Sequence, residues 1–189
     1  RLDAAIKSLE AIRTKLKIYR LTVLHNAFDG NWPVKTIREI CILVNGRAFK
    51  PKEWSTNGLP IIRIQNLNNY TAAFNYCDFK VEDKYYINTG DLLFAWSGTP
   101  GTSFGAHIWE GEKAVLNQHI FKVLIDEREF NKRFFMHLLN KNVSQYIQKA
   151  HGTAGLAHIT KGKFEDSTVR IPSKDVQDKV VQHIELKFS

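Results

Sequence analysis

The sequence is short of the features that usually announce catalytic chemistry. It has two cysteines, Cys41 and Cys77, both in apolar surroundings and neither in a C-x-x-C pair, so buried reduced thiols in a cytosolic protein are expected. No apolar run approaches the ~18 residues needed to span a bilayer. No secretory signal pattern is present, so a cytoplasmic location without a membrane partner is expected. The Gly-rich stretch Gly98–Gly105 lacks the Gly-Lys-Ser/Thr ending of a phosphate loop, and reads as a tight turn or exposed loop. Ser97 is not in a G-x-S-x-G elbow, because position 95 is Ala. No Asn-Pro-Pro-aromatic or Asp-Pro-Pro-aromatic tetrapeptide occurs, the pattern associated with methyl transfer to base amino groups. His151 and His158 are separated by a Gly-rich loop that fixes no metal geometry.

Acidic residues are missing where basic ones gather. Residues 130–163 carry six basic and no acidic side chains, and residues 35–65 six basic and two acidic. Between them, residues 78–129 hold five basic and nine acidic. Net charge is +8, which favours a polyanionic partner, although three ordinary solvated surfaces fit the distribution somewhat better. Hydrophobic residues make up 43% of the chain, enough for a folded core. The length suits one domain plus an appendage.

The chain opens inside a helix. Leu2, Leu9, Leu16 and Val23 stand seven residues apart, with Ala5, Ile12 and Tyr19 three residues after the first three. That a/d stripe fits a coiled-coil seam better than the broader face of a helix lying on a core. One helix is expected over residues 1–27, about 40 Å long. Gly30 and Pro33 then forbid its continuation. Short β-rich runs follow at Ile40–Val44, Leu59–Ile64, Leu92–Trp96, Ala114–Leu116 and Ile120–Ile125, punctuated by turn signals, and imply a mainly antiparallel, curled sheet. Residues 127–149 switch to a helical period and are expected to end at Gly152, before a loop over residues 151–155. Val169–Ile171 reads as a last strand. Ser173 would cap a terminal helix with a stripe of Val176, Val180, Ile184 and Phe188.

Three groups of residues carry candidate chemistry. Asp78, Glu82 and Lys84 are the inventory of a metal-dependent nuclease, but their tight spacing in the acidic zone favours a solvated turn. Arg63 and Gln65 alternate on what reads as a strand, followed by Asn66, Asn68 and Asn69. Paired hydrogen bonds from such side chains can read guanine or adenine, and a polar strand end with an Asn-rich turn fits equally well. Asn117-Gln118-His119 is a second polar cluster with the same ambiguity.

The order and spacing of several motifs resemble the DNA specificity (S) subunit of type I restriction-modification systems. Leu2–Gly30, with Ala4-Ala5-Ile6 and Tyr19-Arg20, looks like the end of that family's spacer helix. Trp32-x-Val34-x2-Ile37-x2-Ile40, Asn45-Gly46-x-Ala48-Phe49 and Gly58-Leu-Pro60-Ile-Ile-Arg63-Ile64-x-Asn66-Leu67 resemble the first part of a target recognition domain. Gly90-Asp91-Leu-Leu and Asn117-Gln118 look like its later signatures. Gly152-Thr153, Ile171-Pro172 and Gln177-x4-Val-x2-Ile184 resemble the exit into a second helix.

The resemblance implies an α+β fold: a curled, mixed β-sheet recognition domain over 30–172, with long coiled-coil-type helices at 1–29 and from 173 to 189. It implies a non-catalytic subunit that reads a half-site in double-stranded DNA. Such a subunit holds methyltransferase (M) subunits and, through them, restriction (R) subunits. S-adenosylmethionine, Mg²⁺ and ATP would belong to those partners, with adenine N6 as the methylated position. Family members carry two recognition domains and this chain has one, so a fragment and a half-length subunit that pairs as a homodimer are both expected possibilities.

On this reading Lys50, Lys52, Lys149, Lys161 and Lys163 bind phosphates, while Arg63, Gln65, Asn66, Asn68 and His151 read bases. Leu2, Leu9, Ile12, Leu16, Tyr19, Val23, Val180 and Ile184 form the dimer or partner interface. Gly46, Gly58, Gly90 and Asp91 hold turns, and Phe49 belongs to the core. A nuclease and a coiled-coil docking adaptor without base specificity remain as alternatives.

Overall fold

The computed structural model describes residues 2–69, 71–98, 104–153 and 156–188, with backbone alone at Lys17 and residues 151–153 and 156–157. The chain runs α1 (Leu2–Ala27), β1 (Val34–Thr36), α2 (Ile37–Ile40), β2 (Cys41–Asn45), β3 (Leu59–Ile62), α3 (Ile64–Asn68) and β4 (Asn75–Cys77). It continues with β5 (Tyr86–Ile87), β6 (Leu92–Ala95), β7 (Ser97–Gly98), β8 (Gly105–Ile108), β9 (Ala114–Leu116) and β10 (Ile120–Ile125). The last third holds α4 (Lys132–Lys141), α5 (Val143–Lys149), β11 (His151–Thr153), β12 (Leu156–His158), α6 (Lys161–Glu165), β13 (Thr168–Arg170) and α7 (Lys174–Phe188).

The architecture is mixed α+β, but the strands do not form a single curled sheet. Among the described residues they divide into an antiparallel sheet β2-β10-β6-β8, a mixed sheet β4-β3-β9-β5, and the smaller sheets β11-β12-β7 and β1-β13. The mixed sheet contains one parallel pair, β3 with β9, in register Ile61↔Val115. Strand β6 is buried on both faces. Its alternate residues Leu92 and Phe94 join the larger core, while Leu93 and Ala95 join the core shared with the mixed sheet. In the larger core Phe94 stacks on Phe164 of α6 at 4.3 Å between ring centroids, with Tyr146 and Phe121 against them, and Phe134 and Phe135 belong to the same core. Lys122 of β10 reaches across to Asp91 at 2.7 Å and donates to the Tyr86 carbonyl at 3.1 Å, so Asp91 ties the β5–β6 turn to the sheet. Phe49 is buried, as expected.

Four local expectations change, each for an identifiable reason. The strand beginning at Leu59 ends at Ile62, because Arg63 caps a short helix: its N–H donates to Asn66 Oδ1 at 3.1 Å. The helix expected over 127–149 starts only after Asn131, whose side chain accepts the Phe134 N–H at 3.0 Å, and it breaks at Asn142. There the Asn142 amide bonds the Leu138 carbonyl, competing with the backbone ladder. The second helix ends at Lys149, and Gly152 pairs with Ala157 in a hairpin rather than terminating a helix. The buried stripe of α7 is Gln177, Val181 and Ile184.

That last point corrects the interface reading of the terminal helix. Ile184 is fully buried in the chain's own core, so it is not offered to a partner, and the half-buried Val180 packs against that core. Helix α1 behaves differently. Leu24 and Ala27 pack on the core and Arg20 lies over the Phe188 ring at 5.3 Å, whereas Leu2, Leu9 and Leu16 are 74%, 65% and 56% exposed. Ile12 and Tyr19 are exposed too, and Val23 is half-buried where the helix meets the body.

Candidate nucleic-acid interface

The connection between β9 and β10 is stitched to three other segments by backbone hydrogen bonds. Asn117 N–H donates to the Ile62 carbonyl at 3.1 Å, and Gln118 N–H to the Arg47 carbonyl at 2.8 Å. Arg47 N–H donates back to the Leu116 carbonyl at 2.9 Å. The His119 carbonyl accepts from Trp96 N–H at 3.1 Å, and the Trp96 carbonyl accepts from Ile159 N–H at 3.1 Å. Residues 47, 62–63, 96–98, 117–119 and 158–159 are thereby joined in one seam, with His158 opposite Ser97 in the β12–β7 pair. Gly46 is required for the approach, since a Cβ there would lie 2.0 Å from the Asn117 carbonyl oxygen.

This seam holds unusual side chains. His119 has a left-handed backbone, φ +73°, rare for a residue with a Cβ. Its ring packs edge-to-face on Trp96 at 5.1 Å. Burial, with repulsion from His158 adding to it, lowers the His119 pKa, so its imidazole is neutral at pH 7. Among the described residues, seven buried side-chain polar atoms have no hydrogen-bond partner, and five belong to the seam: Arg47 Nη1, Arg63 Nε, Trp96 Nε1, Asn117 Oδ1 and His119 Nδ1. Orphaned polar atoms are costly and rare, so five of them along one seam set it apart from the rest of the fold.

The candidate base-reading residues separate here. Arg63 stands at the seam, half-buried, with its guanidinium 5.4 Å from the centroid of the exposed Trp54 ring. Gln65 and Asn68 are exposed on α3, so they do not share a strand face with Arg63. Asn66 is a correction. It is fully buried, its Oδ1 capping α3 and its amide donating to the Ala72 and Ala73 carbonyls at 3.2 and 3.3 Å, which leaves nothing for a base. The His151 side chain lies outside the described residues, and so does Tyr70.

The lysines form two groups. Lys50 and Lys52 are exposed just before Trp54. Lys149, Lys161 and Lys163 cluster beyond His158: Lys149 Nζ donates to Ser167 Oγ at 3.2 Å, and Lys163 Nζ to the Lys149 carbonyl at 3.5 Å. Lys161 faces Glu165 at 3.5 Å, so part of its charge is offset. Sequence reasoning missed Arg47, Trp54 and Trp96. Asn117-Gln118-His119 did stand out, as a polar break between two apolar runs.

The other candidate centre does not assemble. Asp78 and Glu82 are exposed, and Lys84 pairs with Glu82 at 2.6 Å on a solvated turn.

The family model of the type I restriction modification DNA specificity domain matches residues 29–185, which takes in the seam and both lysine groups. The chain belongs to that family. It is 27% identical over 148 residues to the type I restriction enzyme EcoBI specificity subunit of Escherichia coli, covering 77% of this chain and 30% of that protein. The fold is similar to that of the HsdS subunit from Thermoanaerobacter tengcongensis, with a TM-score of 0.66, 12% identity, and coverage of 97% of this chain and 46% of the other. A chain from a structure addressing complex assembly and conformational transition of the type I R-M system gives a TM-score of 0.71 at 13% identity, covering 99% of this chain and 48% of its own. This specificity domain therefore spans under a third of the E. coli relative and about half of each structural neighbour.

Proposed function

We propose that this specificity domain reads a short half-site in double-stranded DNA and docks, without catalysis of its own, onto methyltransferase subunits and through them restriction subunits. The observation that carries the reading is the seam: segments stitched together by backbone hydrogen bonds, an arginine over an aromatic ring, and exposed lysines on the neighbouring segments. Lysines supply affinity that falls with salt, and seam side chains supply base discrimination. S-adenosylmethionine, Mg²⁺ and ATP belong to the partner subunits in this scheme, and adenine N6 is the methylated position.

The exposed stripe of α1 is the docking element. With its leucines in water, most of this helix takes no stability from packing on the body, and a partner helix would supply it. Pairing two copies through α1 gives two recognition domains at a fixed separation and a symmetric, bipartite target. Selection of duplexes from a random pool, by the chain assembled with methyltransferase subunits, should return one motif with a defined half-site. Retention of random sequence at moderate salt would favour the docking adaptor instead.

A further inference from the structure

Two arginines near the seam lie on aromatic rings, and they differ in what else they touch. The Arg47 guanidinium is held between Phe49 and Phe79, at 4.7 and 5.1 Å from the ring centroids, and is paired with Glu53. Its charge and its geometry are used inside the chain. Arg63 has the aromatic contact without the carboxylate. Its guanidinium lies over Trp54, and among the described residues it makes no ion pair and no side-chain hydrogen bond. Its backbone is fixed on both sides, by the end of β3 and by the buried Asn66 cap. Trp54 is 40% exposed, a large apolar ring left in water beside a cation that, among the described residues, no carboxylate neutralises.

A cation–π contact with an indole restrains a guanidinium without using its N–H donors, and a pair of such donors is what a guanine edge takes. A lone surface arginine would lose rotamer freedom on binding, and one already laid on a ring loses less. The geometry points to Trp54 as a positioning residue for Arg63: the indole holds the guanidinium in the orientation that takes guanine O6 and N7. This rests on the DNA-reading proposal above and adds a residue and a base to it.

The experiment selects duplexes from a random pool with the chain assembled with methyltransferase subunits, comparing wild type, Arg63→Ala, Trp54→Ala and Trp54→Phe. The wild type should return a motif containing guanine. Arg63→Ala should relax one guanine position by roughly tenfold or more. Trp54→Ala should relax that same position by about threefold to fivefold, leave the other positions unchanged, and melt at the wild-type temperature. Trp54→Phe, which keeps a ring, should restore most of the preference. A wild-type motif that Trp54→Ala leaves intact, or weakens equally at every position, overturns the positioning role while the DNA-reading proposal stands. A motif whose guanines are indifferent to Arg63→Ala overturns it as well. Absence of any wild-type motif removes both.

Discussion

The side chain of Gln177 accepts the Asn131 N–H at 2.8 Å while donating to the carbonyls of Pro172 and Glu129 at 2.9 and 3.2 Å. One buried amide thus joins the first turn of α7, the chain entering it, and the N-cap of α4. Both ends of the amide are used, so no isosteric apolar residue replaces it. Gln177→Ala leaves one buried and two part-buried backbone groups without their partner and should destabilise by about 2 kcal/mol. Urea unfolding checks it, and a loss below about 1 kcal/mol would show that water takes over those bonds.

What the sequence disclosed and what it hid follow from the range of the interactions. The apolar runs of β6, β9 and β10 were legible because their period is local, and so was the break after α1 at Gly30 and Pro33. Resemblance added the meaning of those elements. The role of Asn66 was not legible: an Asn after an apparent strand looks the same whether it points at DNA or caps a helix three residues back. Ile184 read as interface because an apolar stripe says that a helix packs, not against what. The seam depends on hydrogen bonds between residues 47, 62, 96, 117 and 159, and no pattern within a short window encodes such pairings.

Stability should depend on three half-buried histidines. His107, His119 and His137 all have pKa values lowered below 6.5, in each case chiefly because burial penalises the charged ring. A base whose folded pKa is depressed binds fewer protons folded than unfolded. Its contribution is therefore complete above pH 6.5 and is lost as pH falls towards the folded pKa. Melting temperature should stay level from pH 8 to 7 and drop between pH 6.5 and 5. His137→Gln should reduce that drop, and an acid-insensitive melting temperature over the same range would contradict the assignment.

The stripe of α1 should be separable from the fold. Leu9, Ile12 and Leu16 line an open apolar groove with Arg13, Arg20 and Leu21, and touch none of the core. Leu9→Lys with Leu16→Lys should shift stability by less than about 0.5 kcal/mol, as surface changes do. The same pair should abolish self-association in sedimentation and weaken capture of methyltransferase subunits. Wild-type behaviour in both assays would remove α1 from the proposed interface.

Affinity and selectivity should divide between lysines and seam. Lys161→Glu with Lys163→Glu should weaken binding to all duplexes alike and lower the salt slope, by roughly one unit for each phosphate no longer neutralised. Lys161 has the smaller share, since Glu165 already offsets it. Arg63→Ala should alter which sequence is preferred with little change in slope. Equal effects from the two changes, measured by titration at several salt concentrations, would dissolve the division.

Gly46 tests whether the seam matters as a unit. A Cβ at Gly46 meets the Asn117 carbonyl carbon at 2.4 Å as well as its oxygen at 2.0 Å, and backbone cannot swing aside as a side chain does. Gly90 offers the comparison: its φ of +88° strains any side chain, yet a Cβ there has nothing within 4 Å. Gly90→Ala should therefore cost about 1 kcal/mol of backbone strain and leave DNA selection alone. Gly46→Ala should cost about 3 kcal/mol by overpacking. Because it pushes residues 116–118 away from residue 47, it should also blur base preference in the fraction that still folds. Selection performed well below the melting temperature of each variant separates the two effects, and an undisturbed motif from Gly46→Ala would mean that the seam supports the fold without shaping recognition.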